Sequence, residues 1–330
     1  MSALKEKILE QLDTNRRGDT LYIVVPCYNE EEALPETARR LREKMHKLIA
    51  DGLISENSRV LLVNDGSTDK TWQLITALHN ADKLFSGVCL SRNRGHQNAL
   101  LAGLMTAKDK ADVTVSMDAD LQDDINAVDE MLEKYFDGCE IVYGVRNSRE
   151  TDTGFKRFTA EGFYKLLAAL GGEIVFNHAD YRLMSKTSLE ALAQYGEVNL
   201  FLRGIVPMLG YKTDTVEYSR GERIAGESKY PLKKMLALAI EGITSLSTKP
   251  LRAILGCGAL TMFADFILLV VFIVQACLGG GFDGFKVLLL VMLLMSGLIL
   301  LGIGVVGEYV GKIYLETKHR PLYFIQSVLD

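Results

Sequence analysis

The 330-residue chain is poor in the features that mark several common protein classes. Its five cysteines (Cys27, Cys89, Cys139, Cys257 and Cys277) are scattered and form no CxxC pair. That excludes a thiolate zinc cage and a disulfide framework, and it fits a reducing compartment. There is no excess of positive charge: the formal net charge is -5, with no basic tail or stripe, which argues against a nucleic-acid partner. No GxGxxG follows the first strand-like run, and no GxxxxGKS/T occurs, so a dinucleotide fold or P-loop NTPase is not expected. HExxH and GxSxG are missing too, which removes zincins and α/β-hydrolases. The five histidines show no ligand spacing, and neither His96 nor His178 is assigned to a metal. The first twenty residues lack an apolar core and are not expected to be a secretory signal.

What the chain does contain is a sharp division. Up to about position 249, charged and apolar residues alternate as in a soluble protein. Beyond it, 253–278 holds one ionisable residue, Asp265, and 287–306 holds none. About 20 helical residues cross a bilayer core of ~30 Å, so both runs read as transmembrane helices. Two buried helices of a soluble core would normally keep a polar face. The connection GGGFDGFK is short enough for a helical hairpin. Lys233, Lys234, Lys249 and Arg252 precede it and Lys312, Lys318 and Arg320 follow, against Lys286 alone at the tip. The positive-inside rule then places the N-terminal part and the tail in the cytoplasm. Asp265 reads equally as a structural partner or as part of a transport route.

The N-terminal part alternates short apolar runs with helix-length segments. LYIVVP (21–26), RVLLVND (59–65), GVCLSRN (87–93), DVTVSMDAD (112–120) and EIVYGVR (140–146) read as five strands of a mostly parallel α/β sheet. Asn29, Glu30, Asp65, Arg92, Arg94, Asp118, Asp120 and Arg146 fall at or just past the C-terminal ends of those strands. Ligands of open α/β sheets bind along that edge. A single polar strand end is unremarkable; five converging on one edge imply a site.

Within it, MDADLQDD runs an apolar strand into four carboxylates. An Asp-x-Asp after a strand suits a hard divalent cation, Mg²⁺ or Mn²⁺, held by one or two carboxylates plus substrate phosphates. Gln122 adds a carbonyl oxygen. Asp123 and Asp124 read as solvated, or as capping the next helix.

VVPCYNEEEALPE, LLVNDGSTDKT, LSRNRGHQNALLAGL, SMDADLQDD, YGVRNSRE, ADYRLMSK, FLRGIVPMLGY and RGERIAGESKYPLKKML occur in this order. In that order they resemble family 2 glycosyltransferases, and among them the polyprenyl-phosphate glycosyltransferases, from about position 21 to 324. Two departures stand out: Asn64 replaces a usual acidic residue, and LQDDIN lacks the frequent proline pair. The resemblance implies a GT-A (Rossmann-like) cytoplasmic domain over 1–230 and an interfacial amphipathic segment over 231–250. A two-helix transmembrane hairpin over 251–307 and a cytoplasmic tail over 308–330 would follow. The expected location is the cytoplasmic membrane.

By the same resemblance, Pro26, Tyr28, Glu30, Asp65 and Asp118 would bind the donor nucleotide, and Asp118, Asp120 and Gln122 the metal. Asp180 and Asp120 would be the catalytic carboxylates, with Asp180 either a general base or an orienting group. Arg146, Arg203, Arg223 and Lys229 would hold the acceptor or diphosphate phosphates. The implied reaction is inverting transfer of one sugar, first of all glucose from UDP-glucose, to polyprenyl phosphate, giving a β-linked product. GDP-mannose, UDP-GlcNAc and a UDP-aminoarabinose derivative are alternative donors. A processive polysaccharide synthase is disfavoured, since the sole tryptophan, Trp72, is misplaced for its Gln-x-x-Arg-Trp motif. A non-catalytic nucleotide-binding membrane subunit is the reading from another class. A homo-oligomer is suggested by Gly307 and Gly311 at GxxxG spacing, a tetramer by the resemblance.

Overall fold

A computed structural model describes residues 16–146, 178–198, 200–219 and 284–330, with scattered positions between 251 and 274. It divides into two units, one holding the N-terminal part together with 321–330, the other holding most of the apolar C-terminal part.

The first unit is an α/β fold around an eight-stranded mixed sheet. Its strands are β1 (Leu21–Cys27), β2 (Arg59–Asn64), β3 (Phe85–Leu90), β4 (Val113–Ser116), β5 (Ile141–Arg146), β6 (His178–Ser185), β7 (Thr213–Tyr218) and β8 (Ile325–Leu329). Their order is β7-β5-β6-β4-β1-β2-β3-β8. The pairs β1–β2, β1–β4, β2–β3 and β5–β7 are parallel; β4–β6, β5–β6 and β3–β8 are antiparallel.

Side chains of successive strand residues point to opposite faces, and β1 shows what this does here. Leu21, Ile23, Val25 and Cys27 enter one core, while Tyr22 and Val24 enter the other. The first core is covered by α1 (Leu34–Ala50), α2 (Thr71–Ala81) and α4 (Ala127–Phe136). In α1, Leu34, Ala38, Leu41, Met45 and Leu48 recur at helical spacing and are buried, and a proline sits in its first turn. The second core is covered by α3 (His96–Ala107), α5 (Lys186–Leu192) and α6 (Leu202–Met208). Burial on both faces explains why β1 to β4 read as continuous apolar runs.

Five strands appear where the sequence places them. Three do not follow from it. β6 and β7 carry charged residues (HADYRLMS and TDTVEY), so neither looks apolar. β8 lies in what reads as a cytoplasmic tail, yet it returns to the sheet and pairs with β3. There the Ser91 N–H donates to the Phe324 carbonyl (2.9 Å), and Lys110 pairs with Asp330.

Among the described residues the second unit holds one long apolar helix, α7 (Gly284–Thr317), at the place of the expected second span, and not a clear two-helix hairpin. It starts near the expected 287 but runs eleven residues past Val306. Hydropathy marks only the part suited to lipid, whereas the helix continues because no proline or cap interrupts GEYVGKIYLET. Its segment Leu294–Thr317 is long and apolar enough to cross a membrane, and none of it is buried in protein. Apolar residues are exposed all along it, including Leu288, Met292, Leu294, Ile299, Leu300 and Ile303. Such a helix suits hydrocarbon rather than water. The described residues between 251 and 274 are helical. Positions 279–283 of the hairpin tip, Asp265, and the interfacial segment 231–250 with Arg223 and Lys229 before it lie outside the described residues.

Candidate active site

The ends of β1, β2, β3, β4, β5 and β7 lie on one edge, because these strands run in the same direction. The antiparallel β6 contributes its beginning instead. Ser116 is in register with Arg182, and its hydroxyl donates to the Asp180 carbonyl (2.6 Å). Asp180 thereby arrives beside the end of β4, although 62–64 residues of chain separate it from Asp118 and Ser116.

Around Asp180 the structure assembles a charged cluster. Oδ1 accepts from Arg182 Nη2 (3.0 Å) and Arg203 Nε (3.2 Å), and Oδ2 accepts from Arg203 Nη2 (3.0 Å). Arg182 is fully buried and also donates to the Leu202 carbonyl (3.3 Å), whereas Arg203 on α6 is partly exposed. Burial by itself would raise the Asp180 pKa. The charge of Arg203, the contact with His96 and the charge of Arg182 outweigh burial and hold the carboxyl well below the usual range. Asp180 is therefore a firmly ionised anchor for guanidinium groups.

His96, to which the sequence gives no role, stands between this cluster and the Asp-x-Asp turn. Its Nε2 is 3.6 Å from Asp118 Oδ1 and 3.6 Å from Asp180 Oδ2. Crowding by protein atoms works against protonation, but the Asp180 contact and the two carboxylate charges prevail, and the His96 pKa is raised. The only sequence signal was a histidine directly after a strand-end turn on the ligand-binding edge.

The Asp-x-Asp turn keeps the strand's alternation beyond β4. Met117, Ala119 and Leu121 are buried, while Asp118, Asp120 and Gln122 are half-buried. The turn is made by Leu121 with φ 54°, and the Gln122 N–H donates to Asp120 Oδ1 (3.2 Å). Among the described residues, no three His, Cys, Asp or Glu side chains could hold a metal ion together. The donor set still fits a hard cation, since two accessible carboxylates and an amide oxygen supply oxygen ligands while a bound diphosphate supplies the others.

Asp123 corrects its expectation. It is buried rather than solvated: its Oδ1 accepts from the Tyr218 hydroxyl (2.6 Å) and lies 4.0 Å from Arg146 Nη2. Its Oδ2 is buried and, among the described residues, has no hydrogen-bond partner. Burial, then the nearby Asp118 charge, push its pKa up to about 6, against the Tyr218 bond and Arg146. Arg146 Nε also donates to the Tyr218 hydroxyl (3.2 Å), so the predicted phosphate ligand is tied to this group. Asp124 does serve the next turn, accepting from the Asn126 N–H (2.9 Å).

The remaining predicted donor residues lie on the β1 and β2 ends. Pro26 is buried within β1, Tyr28 is exposed, and Glu30 is half-buried. The two loops clasp each other: the Asn29 N–H donates to Ser67 Oγ (3.0 Å), the Thr68 N–H to Asn29 Oδ1 (2.9 Å), and the Glu30 N–H to Thr71 Oγ1 (2.9 Å). Asp65 is buried, and its oxygens accept from the Arg94 and Gly95 N–H groups (2.7 and 2.9 Å). Burial raises its pKa despite these bonds. Its carboxylate supports the loop after β3 from behind. Gly66 is required beside it: φ is +63°, and a Cβ there would lie 2.5 Å from the Asn93 nitrogen.

The pattern "Glycosyl transferase family 2" matches residues 22–193. An uncharacterized glycosyltransferase of Bacillus subtilis (strain 168) is 51% identical, over 92% of this chain and 90% of its own. A prophage bactoprenol glucosyl transferase homolog of Escherichia coli (strain K12) is 41% identical, over 93% and 98%. The bactoprenol glucosyl transferase of Shigella phage SfV is 40% identical, over 92% and 97%. A solved structure, the mannosyltransferase of Pyrobaculum calidifontis, is 17% identical with a TM-score of 0.43, over 90% and 85%. From β1 through α5, and across nine-tenths of its length by relatives, this chain belongs to glycosyl transferase family 2.

Proposed function

We propose that this glycosyltransferase moves one glucosyl group from UDP-glucose to polyprenyl phosphate at the cytoplasmic face of a membrane, with inversion to a β-linked product. The observation that carries the reading is the placement of Asp118, and with it the Asp-x-Asp turn, beside the Asp180–Arg203 cluster on one sheet edge. One side has acidic oxygen donors for the leaving diphosphate; the other has guanidinium for an incoming phosphate. Similarity to the bactoprenol glucosyl transferases supports the lipid acceptor and the choice of glucose. The apolar α7 supports an integral membrane protein.

In the proposed reaction, an oxygen of the acceptor phosphate attacks the anomeric carbon as the bond to the nucleoside diphosphate breaks. Asp118, Asp120 and Gln122 would hold Mg²⁺ or Mn²⁺, which neutralises charge on the leaving diphosphate as a Lewis acid. A phosphate monoester has a second pKa near ~6, so the nucleophile arrives already ionised. Asp180, held firmly as an anion by two arginines, is suited to orient Arg203 and unsuited to take a proton. Arg203 and Arg146, with Arg223 and Lys229, would bind phosphate. Pro26, Tyr28 and Glu30 would line the nucleoside pocket, with Asp65 bracing it. Among the described residues nothing lies within 4 Å of a Cβ built at Gly307 or Gly311, and this small-residue spacing supports the suggested homo-oligomer.

The test uses the purified protein with polyprenyl phosphate, Mg²⁺ or Mn²⁺, and UDP-glucose, GDP-mannose, UDP-GlcNAc or a UDP-aminoarabinose derivative. A glucosylated lipid is expected, and Asp120→Ala should abolish turnover while leaving membrane insertion and melting unchanged. No lipid-linked sugar with any donor would identify a non-catalytic nucleotide-binding subunit instead.

A further inference from the structure

The first turn of α3 has no part in the reaction as described so far, yet it touches every component. Behind it, Asp65 pins the Arg94 and Gly95 backbone to the end of β2. Its first residue, His96, places Nε2 3.6 Å from both Asp118 and Asp180. The next residue, Gln97, accepts through Oε1 from the N–H of Leu202 (2.9 Å), the first residue of the helix that carries Arg203. Asn98 closes the turn by donating to the Arg94 carbonyl (2.8 Å).

We propose that His96 is a positioning residue of the transfer reaction, sharing its Nε2 between Asp118 and Asp180 so that donor and acceptor halves of the site stay in register. The proposal rests on the transferase reading above. A histidine at an exposed helix start has no structural reason to face carboxylates from two different strands. Here β4 and the antiparallel β6 deliver one each, and the loop before His96 is fixed by a third carboxylate. At 3.6 Å neither contact is yet a hydrogen bond. Contacts of this kind are often long without substrate and tighten when it binds. The donor diphosphate is expected at Asp118 and the acceptor phosphate at Arg203, which Asp180 grips with both oxygens. Register between them matters because reacting atoms must approach to ~3–3.5 Å, and a 1 Å error costs about 10²-fold.

The experiment compares the full chain in nanodiscs with His96→Ala and His96→Gln. Turnover is measured with polyprenyl phosphate and whichever donor the unmodified protein uses, and UDP binding in Mg²⁺ is measured by calorimetry. His96→Ala should lower kcat about 10- to 100-fold, with UDP affinity and melting temperature held close to wild type. His96→Gln, whose amide can donate to the same carboxylates, should recover most of the loss. Three results would overturn the proposal alone: unchanged kcat in His96→Ala, no recovery in His96→Gln, or UDP affinity falling in parallel with kcat. An unmodified protein that binds UDP and makes no lipid-linked sugar overturns the transferase reading and this proposal together.

Discussion

Replacing Asp180 by Asn is the sharpest test of how the active-site edge is held. The change keeps the shape and removes the charge that two arginines share. Arg203 is 37% exposed along its side chain and can turn to water, so its loss is small. Arg182 is 1% exposed and cannot; among the described residues it retains only the Leu202 carbonyl at 3.3 Å, and its Nε has no hydrogen-bond partner there. Stranding one charge of a buried pair costs about 3–5 kcal/mol. For a domain of this size that lowers the melting temperature by roughly 10 °C. Fluorescence of Trp72, the sole tryptophan, partly buried against the core, reports the unfolding. Asp180→Asn with Arg182→Met should regain most of the stability, because an apolar side chain of similar volume tolerates the site, while transfer stays impaired. The Asp180 carboxyl lies below its ordinary pKa in the fold, so its stabilisation is complete above about pH 4 and lost as pH falls further. A single variant melting within 2 °C of wild type, or a double variant regaining full activity, would refute the anchor role.

Two further outcomes follow from the same edge. Asp123 has the opposite sign to Asp180: its folded pKa of about 6 exceeds the ordinary 3.8, so stability should fall as pH rises from about 4 to 6. Between pH 4.5 and 7.5 the loss amounts to about 2 kcal/mol, and Asp123→Asn should flatten it, as read from urea midpoints at those two pH values in EDTA; equal slopes would contradict the burial of Asp123. Gly66→Ala adds a left-handed φ penalty and a clash with the loop after β3, together about 2–4 kcal/mol. Nucleotide affinity should drop with it, and a variant as stable as wild type would show that the loop yields freely.

Much of the edge was legible because it is made of local patterns. Asn29, Glu30, Asp65, Asp118, Asp120 and Arg146 each follow an apolar run, and the strand period puts them at the end of a strand. β6 was hidden because Asp180 and Arg182 give it charges that only their pairing, with Arg203 and His96 beside Asp180, makes tolerable. β8 was hidden because five residues after a long helix carry too little pattern to mark a strand. Asp123 and Asp124 are adjacent and identical in type, yet one is buried beneath Tyr218 and the other exposed.

By itself, then, the amino-acid sequence determined the alternating β/α order, the family, the Asp-x-Asp turn and an apolar C-terminal helix. The order, the turn and the helix rest on periodicities of 2 and 3.6 and on hydropathy, which are properties of neighbouring residues, and the family rests on the resemblance of eight ordered motifs. Only the tertiary structure decided that Asp180 is clamped by two arginines, that His96 lies between the two carboxylates, and that the chain's last strand closes the sheet. Apart from the Asp180–Arg182 pair, those contacts join residues from 22 to more than 200 positions apart. They depend on an antiparallel strand entering a parallel sheet and on which charges end up desolvated, and no local pattern encodes either.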